Sequence, residues 1–170
     1  MKSLLAVLPV IILLSGCSSL PREVKNIASE FQHLQADKDG LTSLPLSDYD
    51  ENCFGISPSE DLSVIYLLNS QCSICYGKLF RLLDLLSCAR IPVPVHIILR
   101  KGDVDNFTFF NEERINARGI VDDNLTLIPV DSYYPYLNKY IQGDGFVLYM
   151  NKIIATIKVE DSVSIIKYTL

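Results

Sequence analysis

Leu62-Ser63-Val64-Ile65-Tyr66-Leu67-Leu68-Asn69-Ser70-Gln71-Cys72-Ser73-Ile74-Cys75 is the stretch on which the fold turns. Its first seven residues are a nearly continuous apolar run of strand length, the pattern of a strand covered on both faces. Asn69-Ser70-Gln71 is a polar turn. Cys72 to Cys75 then opens a helical pattern that runs to about Ala89, with polar residues at Lys78, Arg81, Asp84 and Ser87 and mostly Leu and Phe between them. That spacing leaves one narrow wet face. Pro92 and Pro94 end the helix and admit a second apolar strand, Val93 to Leu99. Strand, helix, strand is a βαβ unit, and a right-handed crossover makes its two strands parallel.

Further along, Asp105 to Ala117 has a helical pattern, Leu125 to Val130 is a short apolar run, and Ser132 to Ile141 is another helical candidate. Gly143-Asp144-Gly145 introduces Phe146 to Met150, Asn151-Lys152 reads as a tight turn, and Ile153 to Val159 returns as a strand, so the pair reads as a β-hairpin. The tail, Asp161 to Leu170, is expected to be a terminal helix. The fold class is therefore α/β, a mixed sheet flanked by helices, with a C-terminal hairpin and helix.

Before Leu62 the grammar is different. Arg22 to Gln35 carries Val24, Ile27, Ala28, Phe31 and Leu34 at helical spacing. Ala36 to Glu60 is broken by Asp39-Gly40, Pro45 and Pro58 and reads as loop, with one short strand near Leu41–Leu46. At the start of the chain a basic Met1-Lys2 precedes an apolar run from Leu4 to Leu14, interrupted by Pro9. That run is shorter than the roughly 20 residues a bilayer span needs, and it has the length of a secretory h-region. Leu14-Ser15-Gly16-Cys17 follows directly and resembles the bacterial lipobox. The resemblance implies cleavage before Cys17 and attachment of lipid, including palmitate-type acyl chains, to that cysteine. The expected division is a signal peptide over 1–16, a lipid-anchored tether and N-terminal extension over 17–60, and the folded domain over 61–170. The implied location is the bacterial envelope, on the inner or the outer membrane, with the domain facing the periplasm.

Composition narrows the function. Among 170 residues, 15 Lys and Arg stand against 20 Asp and Glu, a net charge of −5, and no basic run offsets it. This argues against a nucleic-acid binder. The chain is 49% hydrophobic, enough for a real core and too much for intrinsic disorder. Two histidines exclude a His-rich metal site, and five cysteines put sulfur chemistry first.

The position of Cys72-Ser73-Ile74-Cys75 gives that chemistry a physical basis. The first N–H groups of a helix are unpaired and carry the positive end of the helix dipole. A thiolate placed there is stabilised and reacts near neutral pH. A second cysteine one turn on can attack the mixed disulfide the first has formed. Cys72 is the expected nucleophile and Cys75 the resolving thiol.

With this motif between a buried strand and a helix, and with the late hairpin Phe146 to Ile157, the chain over Leu62 to Val159 resembles the thioredoxin-like superfamily. It looks especially like the lipid- or membrane-anchored envelope thiol–disulfide oxidoreductases of that superfamily. The resemblance implies exchange with the thiols or disulfides of envelope proteins, with no metal or organic cofactor. Three positions depart from the family pattern. Gln71 stands where tryptophan is usual, Tyr66 where thioredoxins carry a buried acid, and Gly145 at about the place of the cis-proline. These departures imply slower exchange than in a general thioredoxin. They also leave open a second reading, a non-catalytic thioredoxin-like lipoprotein that binds a protein partner and keeps a structural disulfide.

A zinc site built from Cys53, Cys72, Cys75 and Cys88 conflicts with the helix, which puts Cys75 and Cys88 about 20 Å apart along its axis, far more than ligands of one zinc ion allow. The same distance keeps Cys88 from pairing with Cys72 or Cys75. Cys53 and Cys88 are left as a second, structural disulfide or as two separate thiols. His33 in a polar segment and His96 within a strand suggest no site. Tyr133, Tyr134, Tyr136 and Tyr140 read as the core and rim of a short helix, with a partner-binding patch as the alternative. Asp48, Asp50 and Glu51 lack the glycine and further ligands of a calcium loop.

Overall fold

The computed structural model describes residues 21–45, 61–69, 71–108, 125–131 and 143–168. The expected signal peptide, Cys17, the acidic group at Asp48, Asp50 and Glu51, Cys53, the helix expected over Ser132–Ile141 with its tyrosines, and most of Asp105–Ala117 lie outside them. The elements are α1 (Pro21–Asp37), β1 (Leu44–Pro45), β2 (Ser63–Leu67), α2 (Ser73–Cys88), β3 (Val95–Arg100), β4 (Leu125–Val130), β5 (Gly145–Tyr149), β6 (Lys152–Val159) and β7 (Val163–Lys167). A 3-10 turn, Lys101–Asp103, leads into a short helical stretch at residues 104–108.

The strands form one mixed sheet in the order β1-β6-β5-β2-β3-β4, with β7 also paired to β6. β2 runs parallel to β3, and β3 parallel to β4. β5 is antiparallel to β2, and β6 to β5. The expected α/β class, the parallel βαβ unit and the late hairpin are all present, and the order β3-β2-β5-β6 is compatible with a thioredoxin-like core.

β2 occupies the middle of this sheet because its sequence leaves it no wet side. Val64, Tyr66 and Leu68 enter one core and Ile65 the other. The first core lies under α1 and α2. α1 contributes Ile27, Phe31 and Leu34, and α2 contributes Leu79, Phe80, Leu82, Leu83, Leu85 and Leu86. Each such side chain contributes about 1.5–3 kcal/mol relative to exposure, so this face holds most of the helix-to-sheet adhesion. The second core collects Ile98, Ile128, Val130, Phe146, Leu148 and Ile153 around Ile65. Because α1 shares the first core, residues 21–37 belong to the body that carries the cysteines.

Three local readings are corrected. The C-terminal tail is not a helix. Residues 163–167 are strand β7, antiparallel to β6, with Ala155 opposite Lys167 and Val159 opposite Val163. Val163, Ile165 and Ile166 are β-branched and favour a pleated surface, and Val163 and Ile165 pack on the first core while Ser164 and Ile166 are exposed. The hairpin turn is Met150-Asn151 rather than Asn151-Lys152. Both residues have positive φ, 48° and 58°, the handedness that suits a two-residue hairpin. Finally, the face of α2 expected to be wet is a seam. Arg81 pairs with Glu23 of α1 at 2.6 Å and donates to the carbonyls of Glu160 and Asp161, and Lys78 pairs with Asp144. Of the four polar positions only Ser87 is exposed.

The end of α2 is sharp. Ile91 N–H donates to the Leu86 carbonyl and Arg90 N–H to that of Ser87, with Arg90 at φ 54°. This is a helix stop usually made by glycine. Pro92 and Pro94 then carry the chain into β3.

Candidate functional site

The site is assembled at the point where β2 gives way to α2. The last N–H of the strand region, on Leu68, donates to the Ile98 carbonyl. The chain then turns on Asn69, whose side-chain oxygen accepts from Gln71 N–H at 3.1 Å and whose carbonyl accepts from Cys72 N–H at 3.1 Å. Asparagine suits such a turn because its side chain can stand in for a backbone acceptor.

Cys72 is the N-cap of α2, with extended backbone angles (φ −113°, ψ 104°). Its sulfur accepts a hydrogen bond from Cys75 N–H at 3.2 Å, in the position a serine or aspartate oxygen takes in an ordinary cap. The Cys72 carbonyl also accepts from Cys75 N–H at 3.0 Å. Cys72 and Cys75 are joined as a disulfide, with Cα atoms 5.2 Å apart. Both are half-buried, whereas Ser73 and Ile74 between them face solvent. Ile74 is 71% exposed, an apolar side chain standing beside the disulfide.

Beneath the pair lies Tyr66, 1% exposed, whose hydroxyl donates to the Cys75 carbonyl at 3.1 Å. Burial pushes its pKa far above the ordinary phenol value, and the negative charge of Asp144 adds to the effect. The phenol therefore keeps its proton across the whole neutral range. Asp144 itself comes from the lead-in to β5. One carboxylate oxygen accepts from Lys78 Nζ at 2.9 Å and the other from Val159 N–H at 2.7 Å. Its backbone is held too, by Leu67 N–H donating to its carbonyl and by its own N–H donating to Ile157.

The two glycines flanking Asp144 make that approach feasible. A Cβ on Gly145 would collide with the Ile65 carbonyl oxygen, and one on Gly143 with Thr156 Cγ2 and the Ile157 carbonyl. Gly145 sits directly opposite Tyr66 in the β2–β5 pairing, and this position, where a resemblance to thioredoxin-like proteins would suggest a proline, has no room for a side chain.

Of the sequence-predicted residues, the structure brings Cys72 and Cys75 together at the helix start, over Tyr66 and with Gln71 exposed at the turn. Cys88 stands at the far end of the unbroken helix α2. It is disulfide-bonded, and since Cys72 and Cys75 are bonded to each other, its partner is neither of them. His33 is exposed on α1. His96 lies in β3 with its Nδ1 buried and unpartnered among the described residues, and burial lowers its pKa. Asp144 and Lys78 are the site residues that sequence reasoning missed. The available signal was a charged residue between two glycines at the mouth of a buried strand. Among the described residues no three His, Cys, Asp or Glu side chains converge as a metal site, and no helix is long and apolar enough to cross a membrane.

Comparison of the chain with protein-family models, with curated proteins and with solved structures returns no match.

Proposed function

We propose that the chain is an envelope lipoprotein that exchanges thiols and disulfides with protein partners through Cys72 and Cys75. The observation that carries this reading is the hydrogen bond from Cys75 N–H to Cys72 Sγ at the N-cap of α2. That donor and the helix dipole both favour a thiolate on Cys72 once the disulfide is open.

In the reduced protein the Cys72 thiolate attacks one sulfur of a partner's disulfide, forming a mixed disulfide and releasing the partner's other sulfur as thiolate. Cys75, as thiolate, then attacks Cys72 Sγ. The intramolecular disulfide forms, the bond to the partner breaks, and the partner leaves as a dithiol. Two electrons pass to the partner. The same steps in reverse oxidise a dithiol partner, and the direction follows from the two reduction potentials. Ile74 and Gln71, exposed and uncharged at the entrance, favour neutral or apolar sequence around the partner's cysteine.

The anchor belongs to the same reading and rests on Leu14-Ser15-Gly16-Cys17. Native protein should carry lipid on Cys17 by intact-mass measurement, and Cys17→Ser should leave the membrane fraction.

The test of the exchange itself is trapping. Cys75→Ser should accumulate mixed disulfides through Cys72, and Cys72→Ser should accumulate none. If Cys75→Ser captures no envelope protein and Cys72 titrates as an ordinary thiol near about 8.5, the chain is instead a binding module with a structural disulfide.

A further inference from the structure

A buried tyrosine hydroxyl must find an acceptor, and Tyr66 finds an unusual one. Its backbone is fixed in the middle of the sheet, between Ile97 of β3 and Gly145 of β5, its ring is buried in the first core, and its oxygen reaches up into the first turn of α2, to the carbonyl of Cys75. The amide on the other side of that same peptide group, Tyr76 N–H, leans toward the Cys72 carbonyl at 3.4 Å. The peptide that follows Cys75 is thus held along both edges. The peptide that precedes Cys75 supplies the N–H aimed at Cys72 Sγ at 3.2 Å. The Cα of Cys75 joins the two, so what fixes one orients the other.

While the disulfide is closed, the covalent bond and these hydrogen bonds together keep Cys72 and Cys75 in register. When it opens that bond is gone, and hydrogen bonds hold the Cys75 N–H against the sulfur at the moment when the sulfur carries charge. We propose that Tyr66 is a positioning residue for Cys72: by donating to the Cys75 carbonyl it keeps the Cys75 N–H on the thiolate in the reduced protein. The inference rests on the exchange reading above and adds to it a residue that acts through the Cys75 backbone. Tyr66 does this as a fixed donor and not as a proton relay, because it stays protonated. The charged groups facing it are Asp144 from the β5 lead-in and, through that carboxylate, Lys78 from α2.

The experiment follows the alkylation rate of Cys72 against pH in the reduced full chain, in a Cys75→Ser background, by peptide mass. Adding Tyr66→Phe removes one oxygen and keeps the ring. It should raise the Cys72 midpoint by about half a pH unit, which lowers the alkylation rate below the midpoint about threefold. Site-specific 3-fluorotyrosine at position 66, a stronger donor of the same shape, should move the midpoint the other way, and it serves as the readout if the phenylalanine variant fails to fold. A lower melting temperature with superimposable alkylation profiles would mean that Tyr66 is packing alone, and the inference would fall while the exchange reading stood. An ordinary thiol midpoint with Tyr66 intact would overturn both.

Discussion

Lys78 and Asp144, 66 positions apart in the chain, form an ion pair at 2.9 Å one turn beyond Cys75. The pair is partly buried, and the second carboxylate oxygen accepts from the backbone of β6. One side chain thus stitches the cysteine helix to the hairpin. Asp144→Asn keeps the size and removes the charge. It should lower stability by about 1–2 kcal/mol, read as a lower urea midpoint at pH 7. A loss that vanishes entirely in 1 M salt would mean the Val159 bond is unaffected and the pair acts only as a screened surface contact.

Gly145 faces the Ile65 carbonyl so closely that a methyl group has nowhere to go, and the obstacle is backbone. Gly145→Ala should therefore destabilise by about 2 kcal/mol or more, the range of overpacked sites. Introducing the proline that the resemblance to thioredoxin-like proteins would put there should be worse still. Equal stability of the wild type and the alanine variant, by denaturant titration, would show that β5 can shift away from β2.

His96 gives a pH dependence with a defined sign. Burial disfavours its charged form, so its folded-state pKa lies below the ordinary value near 6.5. The unfolded chain takes up the proton first as pH falls. The stability His96 contributes is present above about pH 6.5 and is withdrawn as pH drops through the window below it. Melting temperature should fall between pH 7.5 and 5, and fall less steeply in His96→Leu. Parallel curves would place the titrating group elsewhere.

Cys88 is bonded at the end of α2 remote from Cys72 and Cys75. If Cys17 carries lipid as proposed, non-reducing peptide mapping should find Cys88 linked to Cys53. Its removal by Cys88→Ala should cost about 2–4 kcal/mol. A peptide linking Cys88 to Cys72 or Cys75 would contradict the helix itself.

What could be read in advance divides by the range of the physics involved. Leu62–Leu68 and Val93–Leu99 announced themselves as strands because burial on both faces erases alternation, and α2 because its polar residues recur at three-residue spacing. Local rules suffice for these. Val163 to Lys167 misled because five residues after a turn have too little period to judge. Their β-branching was the better guide, and the open edge of β6 decided the outcome. The site was half legible. The two sulfurs and the helix start follow from one short motif. The contact between Tyr66 and the Cys75 carbonyl needs the height of the helix above the sheet, and the approach of Asp144 to Lys78 needs the antiparallel return of β5. Reading position 66 as a missing acid says what the residue lacks and not where its hydroxyl goes.

The Arg81 brace gives the molecule a mechanical character. One guanidinium holds Glu23, near the start of α1, and the 160–161 turn, while its own helix begins at the disulfide. A pull on the N-terminal end of α1 is therefore transmitted to the cysteine helix as load on a rigid lever rather than as slack taken up by a cord. α1 is about 25 Å long, and its far end is fastened to the sheet through Lys167 and Asp37. If residue 17 is fixed to a surface and Cys72 exchanges disulfides as proposed, the disulfide works within a narrow band of height above that surface, and partners must present their cysteines at that level.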